Sequence, residues 1–425
     1  MTLDLSLPRG IRDIEPDEYS LQDEIQKGFE RVARLYNFKL MEPAPMEHLA
    51  ILRAKSGSDV DKEIYAFKDK GGRDVGLRFD LTVGITRYVC SRRDLKPPVK
   101  LGCVGGVWRY EEPQHARYRW HRQWDLEIFG PPSLEADAEV IDASNAVFKT
   151  MGLDSSVIQI GDRRVVEQFI TKVLGVDSAE RRVELMRALD KVQKRSYAEL
   201  EREYQEKGFK PEELKALFDF GGLRGPSEEV LSKLDGYKLD SSSELATLRD
   251  SLRARGVKNF EFNMSIVRGI DYYTAVVFEI ADSGHPDLGA LCGGGRYDLL
   301  PRTFGRPELS GTGAAGGIDR AALSMAGRRK ETQDWVYVAH AGPEAIERST
   351  NLLSILRAEG VKADADLQDR PLGRQLEAAS ALGARWSLIV GKKELEKDTV
   401  TLRDMRNRAE ESLAFADALA RLKRK

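Results

Sequence analysis

Cysteine and histidine are both scarce in this 425-residue chain, with three of the first and five of the second. Cys90, Cys103 and Cys292 stand singly, without a C-x-x-C pair or clustered histidines, so neither a disulfide framework nor a zinc site built from protein ligands is expected. Each reads as a small packing residue, with Cys292 near a pocket because it borders a glycine run. No stretch approaches the roughly 18 apolar residues that span a bilayer, and the start MTLDLSLPRG lacks the basic-then-apolar order of a signal segment. The expectation is therefore no membrane partner and a cytoplasmic location. An excess of one charge is missing too: 67 Lys and Arg against 69 Asp and Glu leave a net charge of −2. Overall charge thus argues neither for nor against nucleic acid, and the terminal RLKRK is too short to decide it. Internal repeats, low-complexity tracts and a G-x-x-x-x-G-K-[ST] phosphate loop are also absent.

What is present is a charge-rich globular composition, 41% hydrophobic and 32% charged, in a chain long enough for two or more domains. Apolar residues at helical spacing from Asp17 to Tyr36, among them Leu21, Ile25, Phe29 and Val32, predict a long amphipathic helix. FKLMEPAP follows as a short strand, and EIYAFKDKGGRDVGLRFDLT as a hairpin turning at Lys70-Gly71-Gly72. Two further strands, KLGCVGGVWRYEE and YRWHRQWDLEIFG, flank the polar loop PQHAR, then Leu134 to Met151 predicts a helix and VIQIG a strand. Between about Arg164 and Arg255 strand signals nearly vanish and short Glu-, Lys- and Leu-rich helices take over. Strand character returns at FEFNMSIV, and MSIVRGIDYYTAVVFEI begins and ends like a buried strand. After the charged link GRRKETQD, strand and helix alternate in a compact α/β segment of about 90 residues.

The long hairpin carries the first chemical signal. Alternation places Arg109 and Glu111 on one face of its first arm, and Arg119, His121, Gln123, Asp125 and Glu127 on one face of the second. Neither face is cleanly apolar, so one lines either solvent, as an exposed salt-bridged hairpin, or a polar site. VRGIDYYT poses the same choice. It fits a strand edge with Arg268 and Asp271 as a surface pair, or a pocket wall.

WRYEEPQHARYR resembles motif 2 of the class II aminoacyl-tRNA synthetases, GTGAAGGIDR resembles motif 3, and the long helix followed by FKLMEPAP resembles motif 1, with Pro43 or Pro45 as its proline. Within that class VRGIDYYT and LCGGGRYD are similar to signatures of the histidyl-tRNA synthetase family, and LRFDLT and YRWHRQWDLE fit it as well. The resemblance covers nearly the whole chain. It implies an α+β fold: a class II antiparallel-sheet catalytic core over residues 1–325, a helical insertion at 165–242, and a C-terminal α/β anticodon-binding domain at 331–425. It also implies that L-histidine is activated with ATP and Mg²⁺ and transferred to the 3′ end of tRNA(His), by a homodimer.

The site residues follow from the same resemblance. Arg109 would bridge the histidine carboxylate and the ATP α-phosphate, with Arg268 on the opposite side of the reacting centre. Arginines suit charge that moves during the reaction. Arg117 and Arg320 would handle the β,γ-phosphates and adenine, and Glu111 the adenine side. Glu127 and Tyr273, with Tyr272 beside them, would pair the two imidazole nitrogens of the substrate, while Asp80, Thr82 and Gln123 would hold its α-ammonium. Gly293, Gly294 and Gly295 would border the pocket. One position departs from the family: where a Phe usually stacks on adenine, this chain has His121. His48, His115, His285 and His340 read as surface or packing residues. The rival reading is a non-catalytic relative, such as the regulatory subunit of ATP phosphoribosyltransferase. Retention of Arg109, Arg268 and Arg320 and of the C-terminal segment favours the enzyme.

Overall fold

Helix α1 (Pro16–Leu35) forms where the sequence spacing places it, opening on Pro16, whose fixed φ suits a first turn. Its apolar stripe buries Ile25, Phe29, Val32 and Ala33, and the Phe29 ring stacks on Trp124 at 5.3 Å. Burying one such side chain contributes about 1.5–3 kcal/mol. The computed structural model describes residues 3–54, 62–112, 117–192, 195–267, 272–325 and 334–423. These fall into two compact units, Met1–Ala326 and Gly327–Lys425.

In the first unit α1 leads into β1 (Lys39–Leu40), β2 (Met46–His48), α2 (Leu49–Arg53), β3 (Ala66–Lys68), β4 (Asp74–Leu77) and α3 (Thr82–Ser91). The hairpin strands β5 (Val99–Trp108) and β6 (Trp120–Gly130) follow, then α4 (Leu134–Thr150) and β7 (Ser156–Asp162). Helices α5 to α10 lie between Arg163 and Ala254, interrupted by β8 (Arg224–Gly225). The unit closes with β9 (Phe260–Asn263), β10 (Val276–Asp282), β11 (Ala290–Arg296), α11 (Leu299–Thr303), β12 (Ser310–Gly317) and α12 (Ile318–Met325). Among the described residues nine strands form the main sheet, in the order β1-β5-β6-β12-β11-β10-β7-β9-β8. Every pairing is antiparallel except β1 with β5 and β7 with β9.

Three expectations change. FKLMEPAP contributes only the two residues of β1, and β2 makes a separate small sheet with β4 and β3. FEFNMSIV stops being strand at Asn263, whose side-chain oxygen accepts from the Ser265 N–H at 3.0 Å and its hydroxyl at 2.7 Å, a local turn that competes with the ladder. MSIVRGIDYYTAVVFEI is thus not one strand: β10 begins at Val276, and residues 268–271 lie outside the described residues. Helices α5 to α10 share one apolar cluster with the sheet, in which Phe169, Leu189, Leu217 and Leu252 are continuous with Phe148 and Trp124.

The second unit has a mixed sheet. Strands β13 (Val336–His340), β14 (Ala363–Ala365) and β15 (Trp386–Val390) run parallel, and β16 (Val400–Asp404) and β17 (Glu410–Leu413) continue antiparallel. Helices α13 (Ile346–Ala358), α14 (Leu372–Ala381), α15 (Lys392–Lys397) and α16 (Phe415–Lys423) complete it. The alternation read from the sequence holds, but α15 and β17 were hidden. KKELEK and EESL offer almost no apolar periodicity, and β17 is held by its backbone ladder to β16.

Candidate active site

The mixed faces of the hairpin resolve once β6 is seen buried on both sides from Gln123 onward. Trp124, Leu126 and Ile128 enter the main core, and Gln123 and Glu127 face a cavity of about 290 Å³ on the other side. That cavity brings together Asp80, Thr82, Arg109, Glu111, Arg117, His121, Gln123, Glu127, Tyr272, Tyr273, Gly293, Gly294 and Arg320. They come from five separate stretches of sequence. Gly295 is not on its wall. Its backbone has φ 154°, and a Cβ there would meet the Val276 carbonyl at 2.4 Å, so its role is to let β11 pass β10 closely. Arg268 and Asp271 lie outside the described residues.

At the deep end Glu127 is 1% exposed and accepts a hydrogen bond from the Tyr297 hydroxyl. Tyr297 stacks on Tyr272 at 4.9 Å, and Tyr272 packs edge-on against Tyr273 at 4.8 Å. Burial, reinforced by neighbouring negative charge, pushes the Tyr272 and Tyr297 hydroxyls far above their ordinary pKa, so both stay protonated. Sequence reasoning quoted Tyr297 inside LCGGGRYD yet missed it as a site residue, because its ring reaches Glu127 only after β11 has crossed to the neighbouring strands. Arg163 was missed for the same reason: at the start of α5 it donates to the Tyr273 carbonyl. Glu127 has room because Gly313 stands opposite it on β12, where a Cβ would sit 1.6 Å from the Glu127 Oε2.

Along the cavity the Asp80 carboxylate accepts from the Val83 N–H at 3.1 Å, and the Thr82 hydroxyl donates to buried Asp125 at 3.3 Å. Arg109 follows the end of β5. It donates through Nε to the Phe79 carbonyl at 2.9 Å and through a terminal nitrogen to Gln123 Oε1 at 3.3 Å, which fixes the guanidinium plane. Toward the mouth Arg117 Nε stands 3.1 Å from Glu111 Oε2, and Arg320, in the first turn of α12, donates to the Ala290 carbonyl at 3.0 Å. Four of the lining groups are acidic and three are arginines. The result is a cleft whose wall carries both carboxylates and guanidinium groups.

His121 lies between those cations. Burial, then the charges of Arg109, Arg320 and Arg117, lower its pKa to about 3. The ring is therefore neutral at physiological pH and presents a flat face without adding charge. Its unfolded pKa lies near 6.5. Between that value and about 3 the unfolded chain binds the extra proton, so this group lowers stability as pH falls through the window. A His121→Phe protein is expected to keep its activity and lose less stability on acidification from pH 6.5 to 4. If the ring stacks on adenine, as the family resemblance implies, the variant should also bind ATP about two- to tenfold more tightly, the range of a better aromatic contact. Pyrophosphate exchange at varied ATP and thermal melts at both pH values check this, and loss of all activity would refute stacking at this position.

A predominantly antiparallel sheet that carries its cleft between a charged hairpin and a glycine-lined strand ending in Asp-Arg at a helix defines the class II aminoacyl-tRNA synthetases. The family model "Histidyl-tRNA synthetase" matches residues 10–321, and the model "Anticodon binding domain" matches 336–425. The histidine–tRNA ligase of Pyrobaculum islandicum is 35% identical, over 96% of this chain and 96% of the relative. That of Pyrococcus horikoshii is 33% identical over 98% of each. Histidyl-tRNA synthetase from Nostoc sp. PCC 7120 superposes with a TM-score of 0.87 at 28% identity, covering the whole of both chains. An ATP phosphoribosyltransferase regulatory subunit/histidyl-tRNA synthetase from Bacillus halodurans shares the fold at TM-score 0.77 and 23% identity. This chain belongs to the histidyl-tRNA synthetase family.

Proposed function

We propose that the chain joins L-histidine to tRNA(His) in two steps within this cleft: histidine attacks ATP to give histidyl-adenylate and pyrophosphate, and the histidyl group passes to the terminal ribose of the tRNA. The observation that carries the reading is the convergence of Glu127, Tyr272, Tyr273 and Tyr297 with Arg109, Arg117 and Arg320 on the wall of one cavity. A buried carboxylate and tyrosine hydroxyls suit an imidazole with one donor and one acceptor, and reject apolar side chains that would leave them unpaired. Asp80, Thr82 and Gln123 receive the α-ammonium. Arg109, with Arg268 as its counterpart by family resemblance, neutralises the carboxylate and α-phosphate as they approach. Arg117, Arg320, Glu111 and His121 take the remaining phosphates and the adenine.

Among the described residues no three His, Cys, Asp or Glu side chains cluster to cage a metal. Magnesium bound with a nucleotide needs no such cage, because phosphate and water oxygens fill most positions and one or two carboxylates complete them. Glu111 on the cavity wall is a donor of that kind. Bound there, Mg²⁺ would neutralise phosphate charge. Residues 165–242 serve as a helical insertion and residues 331–425 as the anticodon-binding unit. The chain acts as a homodimer through the motif 1 helix and strand, in the cytoplasm; no helix among the described residues is long and apolar enough to cross a membrane. Pyrophosphate exchange with each of the twenty amino acids tests the activity. Exchange with histidine alone is expected, and histidine binding without exchange would move the chain to a sensor role.

A further inference from the structure

Tyr118 and Asp319 on the cavity wall, with Arg12 and Glu18 joined to them, have no part in the roles above. Arg12 precedes α1, and its side chain is 22% exposed. One terminal nitrogen donates to Asp319 Oδ1 at 2.9 Å and also to Glu18 Oε1, the other donates to Glu18 Oε2 at 2.5 Å, and the guanidinium carbon lies 4.1 Å from the centre of the Tyr118 ring. The buried Asp319 turns its other oxygen to the Arg122 N–H at 2.8 Å and also accepts from the Gln22 amide at 3.4 Å. One carboxylate at the start of α12 therefore ties the N-terminal segment, α1 and the returning arm of the hairpin together. The same segment grips that arm one step earlier, where the Gly10 carbonyl accepts from the Arg119 N–H at 2.9 Å and the Arg9 carbonyl from its guanidinium at 3.1 Å.

The sequence neighbours give this network its meaning. Asp319 is followed directly by Arg320, Tyr118 lies between Arg117 and the start of β6, and Arg122 follows His121. A rigid guanidinium that satisfies two carboxylates and covers an aromatic ring admits few alternative poses. We propose that Arg12 is a positioning residue for ATP: through Asp319 and Tyr118 it sets the spacing between the hairpin arm bearing Arg117 and His121 and the helix bearing Arg320. It touches no substrate. The inference rests on the assignment of those three residues to ATP. The histidine end is built on Glu127, Gly313 and Tyr297, so the effect falls on one substrate and not on the other.

Exchange kinetics with the full chain at varied ATP and varied histidine test it, with melting temperature as the check on folding. Arg12→Ala is expected to raise the ATP KM about tenfold or more, as small misplacements of binding groups do, and to leave the histidine KM within about twofold. Arg12→Lys keeps the charge but gives up the two-nitrogen grip on Glu18 and the flat contact with the Tyr118 ring, and should fall between the two. The Arg12→Ala, Asp319→Asn double variant should be no worse than Asp319→Asn alone, because the residues act as a unit. An unchanged ATP KM in Arg12→Ala, equal rises in both KM values, or additive losses would overturn the proposal. If Arg12→Ala does not fold, an unchanged ATP KM in Arg12→Lys does so. Calorimetric titration of ATP into the chain without histidine separates this from the activity assignment. Weaker nucleotide binding in the Arg12 variants supports the positioning role even if the parent chain shows no exchange, and equal binding overturns it.

Discussion

Gly313→Ala should raise the KM for histidine on the order of 100-fold, the scale at which a misplacement of about 1 Å weakens a binding site. The added methyl would sit 1.6 Å from the Glu127 Oε2, 2.4 Å from its Cδ and 2.7 Å from the Leu126 carbonyl. Glu127 has little freedom to retreat, being 1% exposed and already bound to the Tyr297 hydroxyl. Either the carboxylate swings into the space proposed for the substrate imidazole, or β12 separates from β6 along the register that pairs Gly313 with Glu127. Both outcomes damage histidine recognition before ATP binding. Steady-state exchange at varied concentrations of each substrate distinguishes them, with the ATP KM expected to move by less than about threefold. An unaffected histidine KM would show that Glu127 is not the imidazole partner.

The second large effect belongs to Arg109→Ala. Its guanidinium is held in one plane by the Phe79 carbonyl and Gln123, which leaves the remaining edge toward the cavity. Removing a fixed cation from the place proposed for the histidine carboxylate and the α-phosphate should lower the rate of adenylate formation by about 10²–10³-fold. Lysine at this position should not rescue it, because a single ammonium cannot keep both protein contacts and also span two substrate groups. Single-turnover formation of adenylate from saturating ATP and histidine is the measurement. A rate within about threefold of the parent would remove Arg109 from the chemistry.

Much of the candidate site was legible because its residues lie in short motifs that the family resemblance marks. Arg109, Glu111, Arg117, His121, Gln123 and Glu127 share one hairpin, and strand alternation alone places the last three on one face. Asp80 and Thr82 came from the resemblance of LRFDLT to the family. Other contributors join the site only through contacts between distant segments. Tyr297 reaches Glu127 across 170 positions of sequence, and Arg12 reaches Asp319 across 307. Gly313 illustrates the difference best. A glycine run announces a close approach somewhere, but that this one makes way for Glu127 depends on the β6–β12 register, which no local pattern encodes. The strand FEFNMSIV ended sooner than its apolar residues suggest: Val, Ile and Phe favour strands, yet the side chain of Asn263 captures the backbone of Ser265 and ends the ladder early.

Both margins of the main sheet are two residues long, Lys39–Leu40 on one side and Arg224–Gly225 on the other, while its longest strands, β5 and β6, lie inside it. A margin that short offers a stray chain almost no template to extend, and each carries a basic side chain, Lys39 or Arg224, that a second strand would have to desolvate. The nine-stranded sheet can thus be broad without inviting self-assembly into fibres. A variant that lengthened either margin with alternating apolar residues would be expected to lose solubility before it lost its fold.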